Sequence, residues 1–392
     1  MKNLKILHVL QSIAKEFGGV QTFVLDLAHQ QNTNFHEVTI LTTDLGSKHK
    51  QIEPVIKKNV SGIEFIYCKS FGPNLFSWAF VKVLKKIVND FDIIHIHGLY
   101  RFPMTYAGYL AKKRNKKYIL SPHGSLDPYL YNKSTKKLLI FKKIYQKIFE
   151  ERLISNAEKI HFTTIEEANL VSHLKFVNNP VIIPIGIDLL KFKSEQTQSS
   201  QTCKSTRIDF CFIGRIHFKK GLDMLVLALR KVVDNGINAQ LTIIGPDNDG
   251  YSEEIKKLIN LNSLEKHVIF KQPLWGLDLI NAYKQSDIFI LPSYSENFGI
   301  TIIEALACKV PVIISNKVNI FNEINNANAG IVVKCDIDDI SEAMIKLSLS
   351  DKLRNELATN GEKLIKSEFT WQKIIKKFNA TYIEIIDNTK KV

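Results

Sequence analysis

Short β-branched runs alternate with helix-length segments along the first half of this chain. The first run is KILHVL at Lys5–Leu10, and the amphipathic segment Gly19–Gln31 follows it. Strands that alternate with helices form right-handed βαβ units, so this order predicts a parallel sheet. The other predicted strands of this half are Val38–Asp44, Ile63–Cys68, Asp92–Gly98, Lys117–Gly124, Lys159–Thr164 and Val181–Asp188, and the other predicted helices are Phe76–Asp90 and Pro103–Lys113.

The alternation stops at a polar segment and then starts again. Lys193–Thr206 has no apolar periodicity and is typical of a linker or an exposed loop. The strands predicted after it are Ile208–Arg215, Gln240–Gly245, Val268–Pro273, Asp287–Ser293, Val310–Ser315 and Ala329–Lys334. We therefore expect two doubly wound α/β domains in tandem, residues 1–190 and 208–370 with a linker at 191–207. Ligands of such sheets bind at the carboxyl ends of the strands.

The composition limits the class of protein and its compartment. Hydrophobic residues make up 45% of the chain, yet no apolar run reaches the roughly 18 residues of a membrane-spanning helix. The apolar run near the N-terminus is too short for a signal peptide. Five cysteines without paired spacing favour a reducing compartment and argue against a disulfide framework or a zinc site. We expect a cytoplasmic protein.

Positive charge is concentrated in the first half of the chain. Residues 1–190 contain 26 Lys and Arg against 15 Asp and Glu, a balance of +11, whereas residues 191–392 contain 27 against 24, a balance of +3. Such an asymmetry suits an anionic partner, which is a nucleic acid, a membrane surface or a phosphorylated substrate. A lysine-rich composition without a binding role is the alternative.

Glycines and cations lie where predicted strands end. Gly18 and Gly19 precede the first amphipathic helix, where backbone N–H groups can approach an anion, although an ordinary turn has the same pattern. The absence of G-x-G-x-x-G argues against a dinucleotide enzyme. Arg215 and Lys220 follow the first strand of the second half, where the two cations can clamp a diphosphate. The alternative is a solvated basic loop.

Two glutamates mark the segment SENFGITIIEALACKVPVI. Glu296 follows a predicted strand, and Glu304 lies about one turn into the helix that begins near Phe298 and Gly299. A carboxylate accepts hydrogen bonds from vicinal hydroxyls such as those of ribose and hexoses. The backbone N–H groups of Asn297, Phe298 and Gly299 are placed to meet a phosphate or sugar oxygen. A solvent-facing pair of glutamates is the alternative.

The whole chain resembles the family 4 retaining glycosyltransferases of the GT-B fold. The resemblance is carried by GGV after the first strand, HG at His123, IPIGID, GRIHFKKG and the E-x7-E pattern with its flanks. It implies two Rossmann-like domains that face a central cleft, with residues 371–392 as a helix that crosses back onto the N-terminal domain. LSPHGSLDP is similar to bacterial enzymes that build O-antigen, capsule or exopolysaccharide.

The resemblance also implies roles for individual residues. Arg215 and Lys220 match the diphosphate-binding pair, and Glu304 matches the carboxylate that binds the nucleotide ribose. Glu296 matches the carboxylate that orients the transferred sugar. Gly19, which follows Gly18, matches the loop near the donor phosphates. His123 matches the N-domain histidine that faces the sugar. The chain departs from the family pattern at Ile185, where asparagine is usual, and at His217 and Phe218.

The implied reaction moves a hexose-type sugar with retention from a UDP- or GDP-linked donor. Growing charge on the leaving diphosphate would be stabilised by Arg215, Lys220 and helix N-termini. No Asp-x-Asp beside a strand end supplies an obvious metal site, so we expect no metal or other cofactor. Asp336–Asp339 is predicted to start a helix. A GT-B sugar-nucleotide epimerase and a basic, non-enzymatic nucleic-acid-binding protein are the alternatives, and we expect no nucleic acid partner.

A basic amphipathic segment suggests where the acceptor binds. In Lys133–Leu153, the apolar residues recur at helical spacing and lysines flank them. Such a helix can lie in an anionic membrane surface, although an apolar stripe is usually core. We expect a lipid-linked or glycan acceptor and peripheral contact with the inner face of the cytoplasmic membrane. The apolar residues are Leu138, Phe141, Tyr145 and Ile148, and the lysines are Lys136, Lys137, Lys142, Lys143 and Lys147.

Overall fold

The computed structural model describes residues 3–14, 18–46, 53–129, 143–192 and 207–387. The chain divides into two compact units, the first comprising Met1–Pro184 with Trp371–Val392 and the second comprising Ile185–Thr370. The division falls at Pro184, and Ile187 N donates to Phe369 O at 2.7 Å within the second unit. Most of the predicted linker, 193–206, lies outside the described residues.

The first unit is built on one twisted sheet. Among its described residues the strand order is β3-β4-β2-β1-β5-β6-β7-β8, and every neighbouring pair is parallel except β3 with β4. The central strand β5 carries no exposed residue, although two of its five residues are histidines. The strands are β1 Lys5–Val9, β2 Glu37–Thr43, β3 Val55–Val60, β4 Ile63–Cys68, β5 Ile93–His97, β6 Tyr118–Ser121, β7 Lys159–Phe162 and β8 Pro180–Ile182.

Strand β3 is not predicted by the sequence analysis. Its sequence, VIKKNV, places two lysines and an asparagine in an exposed edge strand, so the alternation that marks a half-buried strand is missing. It pairs with β4 in the antiparallel direction, with Val60 opposite Ile63 across a tight connection. Lysines on an edge strand discourage pairing with another chain.

Helices flank the sheet of the first unit. The C-terminal helix Trp371–Asp387 belongs to this unit and buries Trp371, Phe378 and Tyr382. Phe23 of the first helix lies 6.3 Å from the Trp371 ring and 6.1 Å from the Phe378 ring. The helices are Gly19–Thr33, Trp78–Ile87, Phe102–Lys113, Glu151–Ser155, Ile165–Val171 and Trp371–Asp387, and a π-helical turn covers Gln146–Glu150.

The second unit contains a smaller, wholly parallel sheet in the described residues. Its order is β11-β10-β9-β12-β13-β14, and the order reverses beside β9, so β9 and β12 flank the switch point. Ligands of doubly wound sheets bind at such a point. The strands are β9 Ile208–Ile213, β10 Ala239–Ile244, β11 Val268–Lys271, β12 Ile288–Leu291, β13 Val312–Ser315 and β14 Gly330–Val333.

The helices of the second unit cover both faces of its sheet. The prediction that Asp336–Asp339 starts a helix is confirmed, because the Asp336 side chain caps Ile337–Ser348 by accepting from the N–H groups of Asp338 and Asp339. No helix in the described part of the chain combines the length and the apolar character needed to cross a bilayer. The helices are Leu189–Phe192, Leu222–Asp234, Tyr251–Leu261, Gly276–Lys284, Ile300–Ala307, Phe321–Asn326, Ile337–Ser348 and Asp351–Glu368.

Candidate functional site

The loop after β9 is fixed tightly against the ends of the neighbouring strands. Gly221 has φ +69°, and a Cβ atom there would lie 2.2 Å from Pro292 O, so no other residue fits without a backbone shift. His217 Nδ1 accepts from Lys219 N at 3.2 Å and thereby caps the short turn Phe218–Lys220. The departure from the family pattern at His217 therefore has a structural role.

Lys220 and Glu296 form an ion pair across two strand-end loops. The Lys220 ammonium donates to Glu296 Oε2, and the two side chains are 15% and 17% exposed. Such limited exposure strengthens the attraction relative to a surface pair, because fewer water molecules screen it. The structure therefore joins two residues that lie 76 positions apart in the sequence.

The loop that carries Glu296 is held by its own backbone. Glu296 N donates to Lys317 O at 3.0 Å, and Asn319 N donates to Glu296 O at 3.0 Å. Tyr294 N donates to Lys219 O at 2.7 Å, so the Glu296 loop is also bonded to the Lys220 loop. These bonds fix the Glu296 backbone before any ligand binds.

Glu304 has a buried partner that the sequence analysis missed. Tyr283, which is fully buried, donates its hydroxyl to Glu304 Oε2 at 2.8 Å. Burial is the main cause that raises the pKa of Tyr283 well above its usual value, and the nearby negative charge of Glu304 is the second. The phenol therefore remains a hydrogen-bond donor. Nothing in the sequence around Tyr283 signals this contact, since the pair joins helices Gly276–Lys284 and Ile300–Ala307.

The remaining predicted residues of the second unit differ in exposure. Gly299, with φ +77°, precedes the helix that carries Glu304, and Phe298 is buried against Phe369 at 5.8 Å between ring centroids. Asn297 is half-buried between Glu296 and Phe298. Arg215 is exposed and has no hydrogen bond or ion pair with another residue in the described ranges. The ion pair thus includes Lys220 and excludes Arg215.

In the first unit, the predicted residues lie at the start of the first helix and beside an aromatic side chain of that helix. Gly18 has φ +88° with open space where a Cβ atom would lie, and Gly19 begins the first helix. Phe23 on that helix lies 5.5 Å from the His123 ring, edge to face. The helix that Gly19 begins therefore places Phe23 beside His123.

Glu167 holds the turn that presents His123. His123 has φ +52° and Gly124 has φ +73°, a left-handed pair that is strained at the histidine. The buried Glu167 carboxylate accepts from Gly124 N at 2.8 Å and from Thr163 N at 2.8 Å. The sequence analysis missed Glu167, although the T-x-x-E pattern from Thr164 signals a helix start there.

One group of side chains in the described residues has metal-ligand geometry. His8, His95 and His97 offer nitrogens that lie within 4.8 Å of one another, and all three rings are buried. Hydrogen bonds to neighbouring side chains occupy both nitrogens of each ring.

Comparison with known proteins gives two family matches. Residues 17–190 match the model of Glycosyltransferase Family 4, and residues 193–364 match the model of Glycosyl transferases group 1. The matched ranges correspond to the two halves that the alternation of strands and helices delimits.

Individual relatives point in the same direction. The chain is 25% identical over 240 residues to a D-inositol 3-phosphate glycosyltransferase of Saccharomonospora viridis, which covers 58% of this chain and 55% of that protein. It is 30% identical over 172 residues to the capsular polysaccharide biosynthesis glycosyltransferase CapM of Staphylococcus aureus. The aligned residues are 44% of this chain and 44% of CapM. The chain thus spans about half the length of these curated relatives.

A solved structure matches over nearly the full length. Anabaena HepE, in complex with UDP and glucose, superposes with a TM-score of 0.72 and 16% identity and covers 97% of this chain and 99% of that one. At this identity the likeness establishes the fold alone. Two parallel-sheet units, the strand-end ion pair and both family matches lead to one conclusion: the chain belongs to the family 4 glycosyltransferases of the GT-B fold.

Proposed function

We propose that this protein is a retaining glycosyltransferase that moves a hexose-type sugar from a nucleoside-diphosphate donor to a glycan or lipid-linked acceptor. The Lys220–Glu296 ion pair at the switch point of the second sheet carries the proposal. A cation and a carboxylate in contact at the ends of parallel strands supply the two groups that a sugar diphosphate requires. Glu304 follows on the adjacent helix.

The donor would bind through charge and hydrogen bonds of the second unit. Lys220 and the exposed Arg215 would neutralise the diphosphate as negative charge develops on the leaving group. Glu296 would accept from hydroxyls of the transferred sugar, and Glu304 from the ribose diol. The backbone N–H groups around Asn297, Phe298 and Gly299 would meet a phosphate or sugar oxygen.

The first unit would receive the acceptor, with His123 and the Gly18–Gly19 turn beside the reacting groups. Retention would follow from attack on the face that the diphosphate leaves, with the phosphate oxygen taking the acceptor proton. This route requires no metal ion or other cofactor. The solved complex of Anabaena HepE contains UDP and glucose, which supports a nucleoside-diphosphate donor and leaves UDP and GDP both open.

An exposed aromatic cluster of the first unit supports a membrane-bound acceptor. Trp78 is 66% exposed and Tyr109 is 58% exposed, and Phe76, Phe102 and Tyr106 connect them through ring contacts of 4.8–6.1 Å. Aromatic rings rimmed by cations are typical of surfaces that bind at a membrane interface. We call this set, with three cations that line the same groove, the aromatic-basic patch: Phe76, Trp78, Phe102, Tyr106, Tyr109, Lys85, Lys113 and Arg114.

The described end of the basic amphipathic segment is also exposed. Ile144 is 51%, Ile148 47% and Phe149 44% exposed, so these apolar side chains are not core. Leu138 and Phe141 of the predicted apolar face lie outside the described residues. Together with the +11 balance of residues 1–190, these apolar groups support peripheral binding to the cytoplasmic face of an anionic membrane, where a lipid-linked acceptor would lie. The match to CapM supports the polysaccharide pathway.

A panel of sugar nucleotides, with and without membrane extract, tests the function. A glycosyltransferase releases nucleoside diphosphate from one donor, slowly alone and faster when the extract supplies acceptor. Formation of an isomeric sugar nucleotide, or of free isomerised sugar, would identify an epimerase instead. No turnover of any donor, together with binding to nucleic acid, would identify a binding protein and refute the proposal.

A further inference from the structure

Five buried or partly buried histidines of the first unit belong to one continuous hydrogen-bond chain. Strands β1, β5 and β7 supply His8, His95, His97 and His161, each no more than 2% exposed. Gln31, Ser121 and Tyr382 connect these rings, and the chain ends at His123. Each link is between 2.7 and 3.1 Å long, which is the ordinary range for such bonds.

A backbone carbonyl at the other end fixes the direction of every bond near it. Ile183 O can only accept, so His161 Nε2 donates to it at 2.7 Å. His161 Nδ1 of the neutral ring must then accept, and Ser121 donates its hydroxyl proton to it at 2.7 Å. The serine has no second proton, so His95 Nε2 donates to Ser121 Oγ at 2.7 Å.

The same reasoning continues through the C-terminal helix. His95 Nδ1 accepts from the Tyr382 hydroxyl at 2.8 Å, and the tyrosine oxygen therefore accepts from the Gln31 amide N–H at 3.1 Å. The Gln31 carbonyl oxygen then faces His8, whose Nε2 donates to it at 2.7 Å. Both groups of the Gln31 amide are thus oriented by their partners.

The last links lead to His123, the half-buried end of the hydrogen-bond chain. His8 Nδ1 accepts from His97 Nε2 at 2.8 Å. His97 Nδ1 in turn accepts from His123 Nε2 at 3.1 Å. In each ring Nε2 carries the proton and Nδ1 carries the lone pair, so the direction set at Ile183 reaches His123 unchanged.

We infer that Gln31, Ser121, His161 and Tyr382 are positioning residues that hold His123 in the Nε2–H tautomer, with Nδ1 as a hydrogen-bond acceptor. His123 Nδ1 has no hydrogen bond to another residue in the described ranges. A ligand group that faces this atom must therefore donate, as a hydroxyl does and a carbonyl or phosphate oxygen does not. That this hydroxyl belongs to a sugar rests on the proposed function, whereas the tautomer itself does not.

Burial supports a chain of neutral rings. Removal from water lowers the pKa of His8 and His161 to about 4 and that of His123 to about 3. An additional proton on His8, His95, His97 or His161 would place two donors against each other, because both nitrogens of these rings already have partners. At neutral pH each ring therefore has one donor and one acceptor nitrogen.

Long-range ¹H–¹⁵N NMR of the histidine-labelled full-length chain tests the inference, because the two ring nitrogens of each tautomer have distinct shifts. In the wild-type protein we expect the Nε2–H form at His123, His97, His8, His95 and His161. An Nδ1–H form at His123 would overturn the inference without any variant being made. Zinc binding that removes the ring N–H signals of His8, His95 and His97 would overturn it as well.

Breaking the chain at one hydroxyl provides the second arm of the test. In Tyr382→Phe, the Gln31 amide can turn over, so His8, His97 and His123 should become mixtures of both tautomers. His95 and His161 should keep the Nε2–H form, because Ile183 O still fixes them. Ser121→Ala should release His95 too. Unchanged tautomers at His123 in both folded variants would contradict the inference.

Tyr118→Phe is the matched control. Tyr118 is also a buried tyrosine of this unit, and its hydroxyl donates to Leu153 O at 2.5 Å outside the chain. It should lose stability comparably while every histidine tautomer stays as in the wild-type protein. A tautomer change in Tyr118→Phe would show that general loosening, and not the broken chain, moves the protons. Because the measurement is spectroscopic and needs no enzymatic activity, a result that refutes the inference would leave the proposed transferase function untouched.

Discussion

The Lys220 ammonium lies in contact with the Glu296 carboxylate, and each side chain is less than one fifth exposed. The pair neutralises the cation that a donor diphosphate would bind, so the donor must compete with Glu296 for Lys220. Once the diphosphate holds Lys220, the carboxylate becomes available to the hydroxyls of the sugar. One ion pair can thus make sugar recognition depend on diphosphate binding.

Glu296→Gln should bind nucleoside diphosphate more tightly, by roughly tenfold, because a partly buried cation has lost its anionic partner and the site has lost a repulsive charge. Sugar transfer should fall by about 10- to 100-fold, since a hydrogen bond to a charged group contributes roughly 1.5–3 kcal/mol. Calorimetry with UDP and GDP and a transfer assay measure the two effects. Glu362→Gln, which removes a carboxylate paired with Lys309 and Lys366, is the control and should change neither. Diphosphate binding by Glu296→Gln that is no tighter than that of the wild-type protein would contradict the competition.

Tyr283→Phe should weaken nucleotide binding by about tenfold and leave kcat nearly unchanged. The hydroxyl orients Glu304, which is proposed to bind the ribose in the ground state and the transition state alike. The free energy of unfolding should fall by about 1 kcal/mol, the usual contribution of one hydrogen bond. Steady-state kinetics and urea unfolding separate the two effects. A fall in kcat with constant KM would assign Glu304 a role in the chemical step.

These two contacts show how far the sequence could predict the site. The order of strands, the helix that starts after Gly299 and the glutamates on either side of that start follow from local patterns. The Lys220–Glu296 contact required the register of two loops, which no local pattern specifies. The role of Tyr283 could not be predicted, because a tyrosine in an apolar pattern is interpreted as a core residue unless the partner of its hydroxyl is known.

The first unit was predicted less completely for similar reasons. Strand β3 lacked alternation because both of its faces are largely exposed. The sequence shows the two histidines of IIHIH, but not their partners. The hydrogen bond between His95 and Tyr382 joins residues 287 positions apart and depends on where the C-terminal helix packs. Apolar periodicity predicts that such a helix is amphipathic, but not which polar atoms it places inside the unit.

Stability should fall on acidification because of the buried histidines. Burial lowers the pKa of His8 and His161 to about 4, whereas in the unfolded chain it is about 6.5. Between these values the unfolded state binds more protons, so stability is complete above pH 6.5 and falls as the pH is lowered toward 4. Each such histidine lowers the free energy of unfolding by up to about 1.4 kcal/mol for every pH unit of acidification in this range. Urea unfolding from pH 8 to 5 measures the slope.

Two variants test which residues cause this dependence of the free energy of unfolding on pH. His161→Gln can keep both hydrogen bonds, with its N–H to Ile183 O and its carbonyl toward Ser121, and should reduce the slope by about one proton. Glu150 acts in the opposite sense, because burial raises its pKa to about 7, so its neutral form favours the folded state as the pH falls. Glu150→Gln should therefore steepen the loss of stability toward low pH. Identical slopes for wild type and His161→Gln would refute the assignment.

The aromatic-basic patch should bind anionic vesicles. Trp78→Ala with Tyr109→Ala removes its two most exposed rings and should lower partitioning into phosphatidylglycerol vesicles by at least tenfold at low salt, with little change in stability. Neutral phosphatidylcholine vesicles should bind the wild-type protein weakly. Trp275→Ala, at a similarly exposed tryptophan of the second unit, is the control. Equal partitioning of wild type and the double variant would leave the acceptor as a soluble glycan.

Transfer of a labelled sugar from its nucleotide donor to an acceptor in membrane extract tests the central claim most directly. Lys220→Ala should reduce transfer by about 10- to 100-fold and keep its cooperative thermal transition, because a charge-assisted bond to the leaving diphosphate is lost. Lys231→Ala removes an exposed lysine, paired with Asp338, from the following helix, and should transfer sugar like the wild-type protein. Wild-type transfer by a folded Lys220→Ala variant, or no transfer by the wild-type protein from any donor, would contradict the account.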